Sequence, residues 1–159
     1  MKIERLIYAE QPWVVKLIGN VDRLTDHLQQ YFGKDNIFIL DGLKMKTFDG
    51  LYDEFSKILR LPDYFGRNLN ALDECLNDLE WLNIDKVLIV IINSDFILSR
   101  EHNVGCDVII ELLEGAGAEW SKPIENRGQW DRLPVPFHAI IQTNKEGIKE
   151  IDRLPELET

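Results

Sequence analysis

Apolar residues recur along this chain in two rhythms, short continuous runs and longer stretches with apolar positions three and four apart. Trp13–Ile18 (WVVKLI) predicts a short strand. Asn20 stands where it can cap a following helix, which carries Val21, Leu24, Leu28, Tyr31 and Phe32 at helical spacing and is closed by Gly33. Asn36–Leu40 (NIFIL) predicts the next strand, and Asp41-Gly42 turns the chain. Phe48, Leu51, Tyr52, Phe55, Ile58 and Leu59 then form the strongest amphipathic pattern in the sequence. Val87–Ile92 (VLIVII) is apolar at every position, the signature of a central parallel strand covered on both faces.

Between those last two elements lies Leu61–Asp85, with six carboxylates and one cation, Arg67. It therefore carries half of the chain's net charge of −10. Pro62 ends the preceding helix, Gly66 allows a positive φ, and Asn68 is a good cap for a helix starting at Leu69. At about 100° per residue, Leu69, Leu72, Cys75, Leu76 and Leu79 gather on one side of that helix. Asn70, Asp73, Glu74, Asn77 and Asp78 form a continuous arc on the other, with no lysine or arginine among them. Charge alone is compatible with a solvated helix face. Two features ask for more: the acids lack the i,i+4 cations that steady an exposed helix, and Tyr64-Phe65-Gly66 places aromatic groups at the lip of the arc.

Further along, Ser94 is placed to cap a short helix over Asp95–Glu101, and a longer helix is expected around Asn103–Gly117. That helix would bury Val104, Val108, Leu112 and Ala116, with Ile109 and Leu113 alongside and Gly115 and Gly117 marking its end. Ser121–Pro136, with three prolines, reads as a loop. Phe137–Thr143 (FHAIIQT) is the last strand, and the polar tail from Asn144 has room for one short helix before Pro155. Strands separated by helices imply an α/β fold, a small and mainly parallel sheet flanked by helices. With 159 residues, one domain is expected over 1–159.

A composition of 45% hydrophobic and 29% charged residues is that of an ordinary globular chain. A pI near 4.7 argues against direct binding to nucleic acid or an anionic membrane and favours a basic partner. The longest apolar run is far too short for a bilayer, and MKIERLIYAEQPW lacks a signal-peptide core, so a cytoplasmic protein is expected. Cys75 and Cys106 suggest neither a disulfide framework nor a metal site, and no cofactor is implied.

The string Pro62–Leu76 (PDYFGRNLNALDECL) resembles the signature segment of the barstar family, intracellular inhibitors of barnase-type ribonucleases. Loop, cap, core and acid positions all agree. The resemblance runs back without gaps through Leu40-Asp41-Gly42 and the helix at Thr47–Arg60, and resumes more loosely at Val87–Asn93, near Asn103–Gly117 and at Phe137–Thr143. It implies a barstar-type α/β fold in two or three layers, with a core over 36–143 and a tail over 144–159. The βα unit over 1–35 has no counterpart in the family pattern, and the Ser121–Pro136 loop is longer than that pattern needs.

The resemblance also implies a site. Tyr64, Gly66 and Asn68 match the inhibitor loop, and Glu74 stands where the family's principal phosphate-mimicking aspartate sits. Asn70 replaces an aspartate and Asp73 replaces a tryptophan. Glu119, with Glu114 as the weaker match, stands for the acids that approach the enzyme from the side. With Asn77 and Asp78 of the arc, these are the candidate partner-binding residues, and a basic nuclease is the candidate partner. The departures put barnase itself in doubt as the target.

An enzymatic reading finds little support. His27, His102 and His138 are scattered, and there is no phosphate loop, nucleophile elbow or H-E-x-x-H. Asp73-Glu74 with His102 is the only imaginable metal or acid–base set, and nothing in the spacing selects it. The expectation is an inhibitor of the immunity or antitoxin type, not an enzyme. The rival is a barstar-like interaction module whose partner binds elsewhere and is not a nuclease.

Overall fold

Four parallel strands form the centre of the computed structural model, which describes residues 1–159. They are β1 (Val14–Ile18), β2 (Ile37–Asp41), β3 (Val87–Ile92) and β4 (Phe137–Thr143), in the order β1-β4-β3-β2. Five helices surround them: α1 (Asp22–Phe32), α2 (Phe48–Ile58), α3 (Leu69–Asp78), α4 (Asp107–Trp120) and α5 (Lys149–Asp152). The fold is α/β and barstar-like, with every strand pair parallel.

Side chains alternate across the sheet, and each set finds its own core. Phe38 and Leu40, Val87, Ile89 and Ile91, and Phe137, Ala139 and Ile141 face α2, α3 and α4 and join the larger apolar cluster. Leu88, Val90 and Ile140 point the other way, where Val15, Leu17, Leu24, Leu28 and Phe32 meet them. β3 can therefore be apolar throughout, because neither of its faces meets water. The layers are α1, then sheet, then α2–α4.

β1 lies on one edge of the sheet, hydrogen-bonded to β4 from Val14↔Ala139 to Ile18↔Thr143. Its free edge is closed by residues 155–158. Lys16 donates its N–H to Pro155 O (2.9 Å), and Leu157 donates to Lys16 O (2.9 Å). His138, buried in β4, holds the segment before β1, with Nδ1 at 3.0 Å from Pro12 O and Nε2 at 2.7 Å from Tyr8 O. At the other edge, the buried Glu54 carboxylate of α2 accepts the Asp41 N–H (2.9 Å) and covers the end of β2.

Several elements differ from expectation. α4 begins at Asp107 rather than Asn103, and Gly115 and Gly117 lie inside it instead of ending it. Its buried stripe is Ile109, Ile110, Leu113, Ala116 and Gly117; Val108 and Leu112 are only half-buried. Gly117 is there for space, since a β-carbon would come within 2.5 Å of Trp13 Cβ. The helix continues to Trp120, whose indole N–H reaches Leu76 O of α3 (2.8 Å). Residues 95–101 form no α-helix, only a 3-10 turn over Ser94–Phe96. Ser94 does not cap it, because its hydroxyl donates back to Ile91 O (2.9 Å). The chain beyond bonds sideways, with Leu98 N–H to Met45 O and Arg100 N–H to Lys46 O.

Candidate acidic face on helix α3

The loop before α3 is built to hold one conformation. Asn68 is extended (φ −145°, ψ 169°), and its side-chain oxygen accepts the Ala71 N–H at 2.8 Å. Its amide nitrogen donates to Gly66 O (3.1 Å), so one side chain fastens both the helix start and the loop. The positive φ falls on Arg67 (φ 50°), not on Gly66 as expected. What Gly66 supplies is room: a β-carbon there would lie 3.3 Å from Asn68 Nδ2 and 3.4 Å from Ala71 Cβ. Phe65 turns inward, edge-on to Tyr52 at 5.8 Å between centroids, while Tyr64 is 75% exposed.

The left-handed turn at Arg67 sends its guanidinium back to α2. There it meets Asp49 Oδ1 (2.6 Å) and Asp53 Oδ1 (2.9 Å), one helical turn apart, and lies over the Tyr52 ring. Both pairs are exposed and add little stability. Their consequence is where they leave the charge. The one cation of the Leu61–Asp85 stretch is neutralised on another helix, and the α3 arc keeps its carboxylates unbalanced.

On that arc Asn70, Glu74 and Asp78 are exposed, Asp73 and Asn77 half-buried. Asn77 Nδ2 donates to Asp73 O (2.9 Å) and approaches Asp73 Oδ1 (3.4 Å). Leu79 ends the helix in a left-handed conformation, with Asp78 and Glu80 flanking it. No basic residue occupies the last turn. Carboxylates at a helix C-terminus oppose the helix dipole, at roughly 0.3–1 kcal/mol each. The helix tolerates this because Leu72, Leu76 and Leu79 are fully buried, at about 1.5–3 kcal/mol each. The acidic arc is thus supported by its apolar side. Tyr64 stands close enough to feel it: loss of hydration, then the charges of Asp78, Cys75 and Glu80, raise its phenol above its ordinary range.

The last turns of α3 and α4 meet through the Trp120–Leu76 bond. Glu119 lies there, exposed and 3.4 Å from Lys122. Glu114 is engaged elsewhere, in a two-pronged pair with Arg153 (3.0 and 3.3 Å). Loop 121–136 is more ordered than its prolines suggest: Ile124 and Arg132 exchange backbone hydrogen bonds, and Gly128–Trp130 makes a 3-10 turn.

No group of three or more His, Cys, Asp and Glu side chains is placed to hold a metal ion, and no helix is long and apolar enough to cross a membrane. His27 and His102 are exposed in separate elements. Cys75 and Cys106 are buried free thiols, and burial, then Glu150 and Asp107, pushes Cys106 up to about 11. The sequence did not reveal the Asp49–Asp53 clamp on Arg67. The i,i+4 spacing of those two acids was a signal that a cation from outside the helix sits between them.

The family model for barstar, the barnase inhibitor, matches residues 35–142, from just before β2 to the penultimate residue of β4. The chain belongs to the barstar family. Residues 1–34, with β1 and α1, lie outside the matched span. A curated relative from Bacillus subtilis (strain 168), named "Putative ribonuclease inhibitor YrdF", is 36% identical over 52 residues. That match spans 33% of this chain and 55% of the relative, so it covers only a little over half of that protein's length. The family's description is that of an inhibitor of barnase, a ribonuclease.

Proposed function

We propose that this barstar-family chain is a cytoplasmic inhibitor of the immunity or antitoxin type, which blocks the cationic active site of a basic ribonuclease toxin. The contact residues in this reading are Tyr64, Gly66, Asn68, Asn70, Asp73, Glu74, Asn77 and Asp78, with Glu119 at the side. The observation that carries it is the charge left over on α3. Arg67 is spent on Asp49 and Asp53, no cation stands in the arc, and two acids sit against the helix dipole. A ribonuclease site is cationic because it holds phosphodiesters, so carboxylates on a capped helix can occupy its phosphate positions and exclude RNA. Complementary fields also speed association, an effect for which barnase and barstar are themselves the standard example. In this reading the protein, acidic overall, does not bind RNA directly.

In the same reading residues 1–159 form one domain. Residues 1–35 are an added layer on the 36–143 core, supported by the β1–β4 ladder and the shared apolar cluster, and 144–159 is a tail.

The test is inhibition of purified barnase-type ribonucleases in a fluorogenic RNA-cleavage assay at low salt. Wild type is compared with Asp73→Lys/Glu74→Lys. Reversing two charges at a desolvated interface costs at least about 3 kcal/mol, so inhibition weakens roughly a hundredfold or more. Undiminished inhibition by the double variant would refute the site. A partner retained equally by both proteins, and not a nuclease, would favour an interaction module that binds elsewhere.

A further inference from the structure

The ends of α3 and α4 and the 121–136 loop enclose a cleft of about 560 Å³, whose walls include Asn77, Asp78, Glu80, Trp130, Asp131 and Arg132. Two buried side-chain polar atoms in this chain have no hydrogen-bond partner, Asn77 Oδ1 and Arg132 Nη1. Both residues line this one cleft. Buried polar atoms are nearly always paired, so Asn77 and Arg132 are the wall residues with a hydrogen-bonding atom to spare.

The chemistry of the walls narrows what that group is. Three carboxylates face one cation, and the cation is already committed. The Arg132 guanidinium lies 4.1 Å from the Trp120 ring centre; burial lowers its pKa, against the pull of Glu119. Trp130 lines the same cleft 62% exposed, with neither a ring nor a cation over it. Asp131 uses Oδ1 on the Arg127 N–H (2.7 Å), which leaves its other oxygen free. An exposed indole in a cleft whose walls also carry three carboxylates suits a planar guanidinium better than a compact, strongly hydrated ammonium. A peptide backbone supplies one N–H and one C=O, the complement of the two orphans.

We propose that the cleft receives an arginine of a basic protein partner. Its guanidinium lies on Trp130 among Asp78, Glu80 and Asp131, and its main chain pairs with Asn77 and Arg132. The basic nature of the partner rests on the inhibitor reading above. The cleft shares Asn77 and Asp78 with the α3 arc and adds to it a specificity pocket completed by the 121–136 loop. Both orphan atoms are shielded from water, so entry requires the Arg132 side chain to slide along Trp120, which makes that indole a reporter.

The experiment titrates the full chain with acetyl-Gly-Arg-Gly-amide and follows the tryptophan indole N–H and Asn77 side-chain amide signals by NMR. The same peptide with citrulline is the neutral control. Saturable shifts at Trp120, Trp130 and Asn77 are expected, with a dissociation constant on the order of 1 mM. Citrulline should bind at least roughly fivefold more weakly. Trp130→Ala should abolish the shifts and Asp131→Asn should weaken them. Because Trp130 is exposed, its loss leaves the fold intact, which the dispersion of the remaining signals checks. No saturable shift by about 20 mM, equal binding of citrulline, or shifts that survive Trp130→Ala would each overturn the proposal. The titration needs no nuclease: its failure beside intact inhibition removes the cleft alone, and its success beside failed inhibition removes the α3 reading alone.

Discussion

Gly115 and Gly117 stand two residues apart in α4, and replacing each by alanine should change stability in opposite directions. In a helix interior, alanine is intrinsically favoured over glycine by about 0.5–1 kcal/mol. At Gly115, exposed and with nothing within 4 Å of the position a β-carbon would take, that gain is realised in full. At Gly117 the new methyl would lie 2.5 Å from Trp13 Cβ and 2.7 Å from Trp13 Cγ. Trp13 cannot easily retreat. Its carbonyl accepts the Ala139 N–H at 2.9 Å, its ring lies 5.8 Å from that of His138, and it leads directly into β1. Overpacking of this kind costs typically 1–3 kcal/mol, so the clash outweighs the propensity gain. The net loss is up to about 2.5 kcal/mol.

For a chain of this length each kcal/mol moves Tm by roughly 2–4 °C. Thermal unfolding followed by circular dichroism should therefore place Gly115→Ala about 1–4 °C above wild type and Gly117→Ala below it. The double variant should fall near the sum, because the two sites share no partner. Equal stabilisation by both substitutions would show that α4 does not approach Trp13 so closely, and would loosen the junction between the N-terminal layer and the core. A loss at Gly115 would refute the propensity argument itself.

Asn68→Ala removes the cap of α3 and should lower stability by about 1 kcal/mol, whereas Asn68→Asp keeps the acceptor for Ala71 and loses only the donor to Gly66 O, so its urea midpoint should fall between wild type and the alanine variant. An aspartate variant as weak as the alanine would locate the loss elsewhere than the cap. His138 carries the pH dependence. Burial lowers its pKa from the ordinary 6.5, opposed by the carbonyls of Tyr8, Pro12 and Trp13. Between the two values the unfolded chain binds a proton that the folded one refuses, so stability falls as pH drops through about 6.5. Urea unfolding of wild type and His138→Gln from about pH 7.5 to 5.5 should show a decline that the variant lacks; parallel curves would remove His138 as the cause.

What could be read from the chain was what lies close in sequence. Asn68 announces a cap because the N–H it accepts, that of Ala71, stands three residues on. β3 is legible because burial on both faces leaves no polar position. The sequence misled where a distant side chain decides. Gly117 looks like a helix end until Trp13 is seen against it. Ser94 misleads for a local reason instead: its hydroxyl donates back three residues to Ile91 O and so caps nothing ahead of it. On α3 the acids were plain, but the removal of Arg67 from among them was not, since it depends on Asp49 and Asp53 of the preceding helix.

β1 is laid down early and completed late. Its inner neighbour is β4, at residues 137–143, and its outer edge is closed only by residues 155–158. During synthesis, then, Val14, Val15 and Leu17 emerge with no ladder on either side, while β2, α2, α3 and β3 can begin to associate among themselves. At about 5–20 residues per second, the first strand waits several seconds for partners more than a hundred residues away. An unpaired apolar strand is the form most prone to pair with the wrong chain. The barstar-like core can thus begin to form while the segment outside the family match is still open, and in the cell the vulnerable interval belongs to the N-terminal layer rather than to the acidic face of α3.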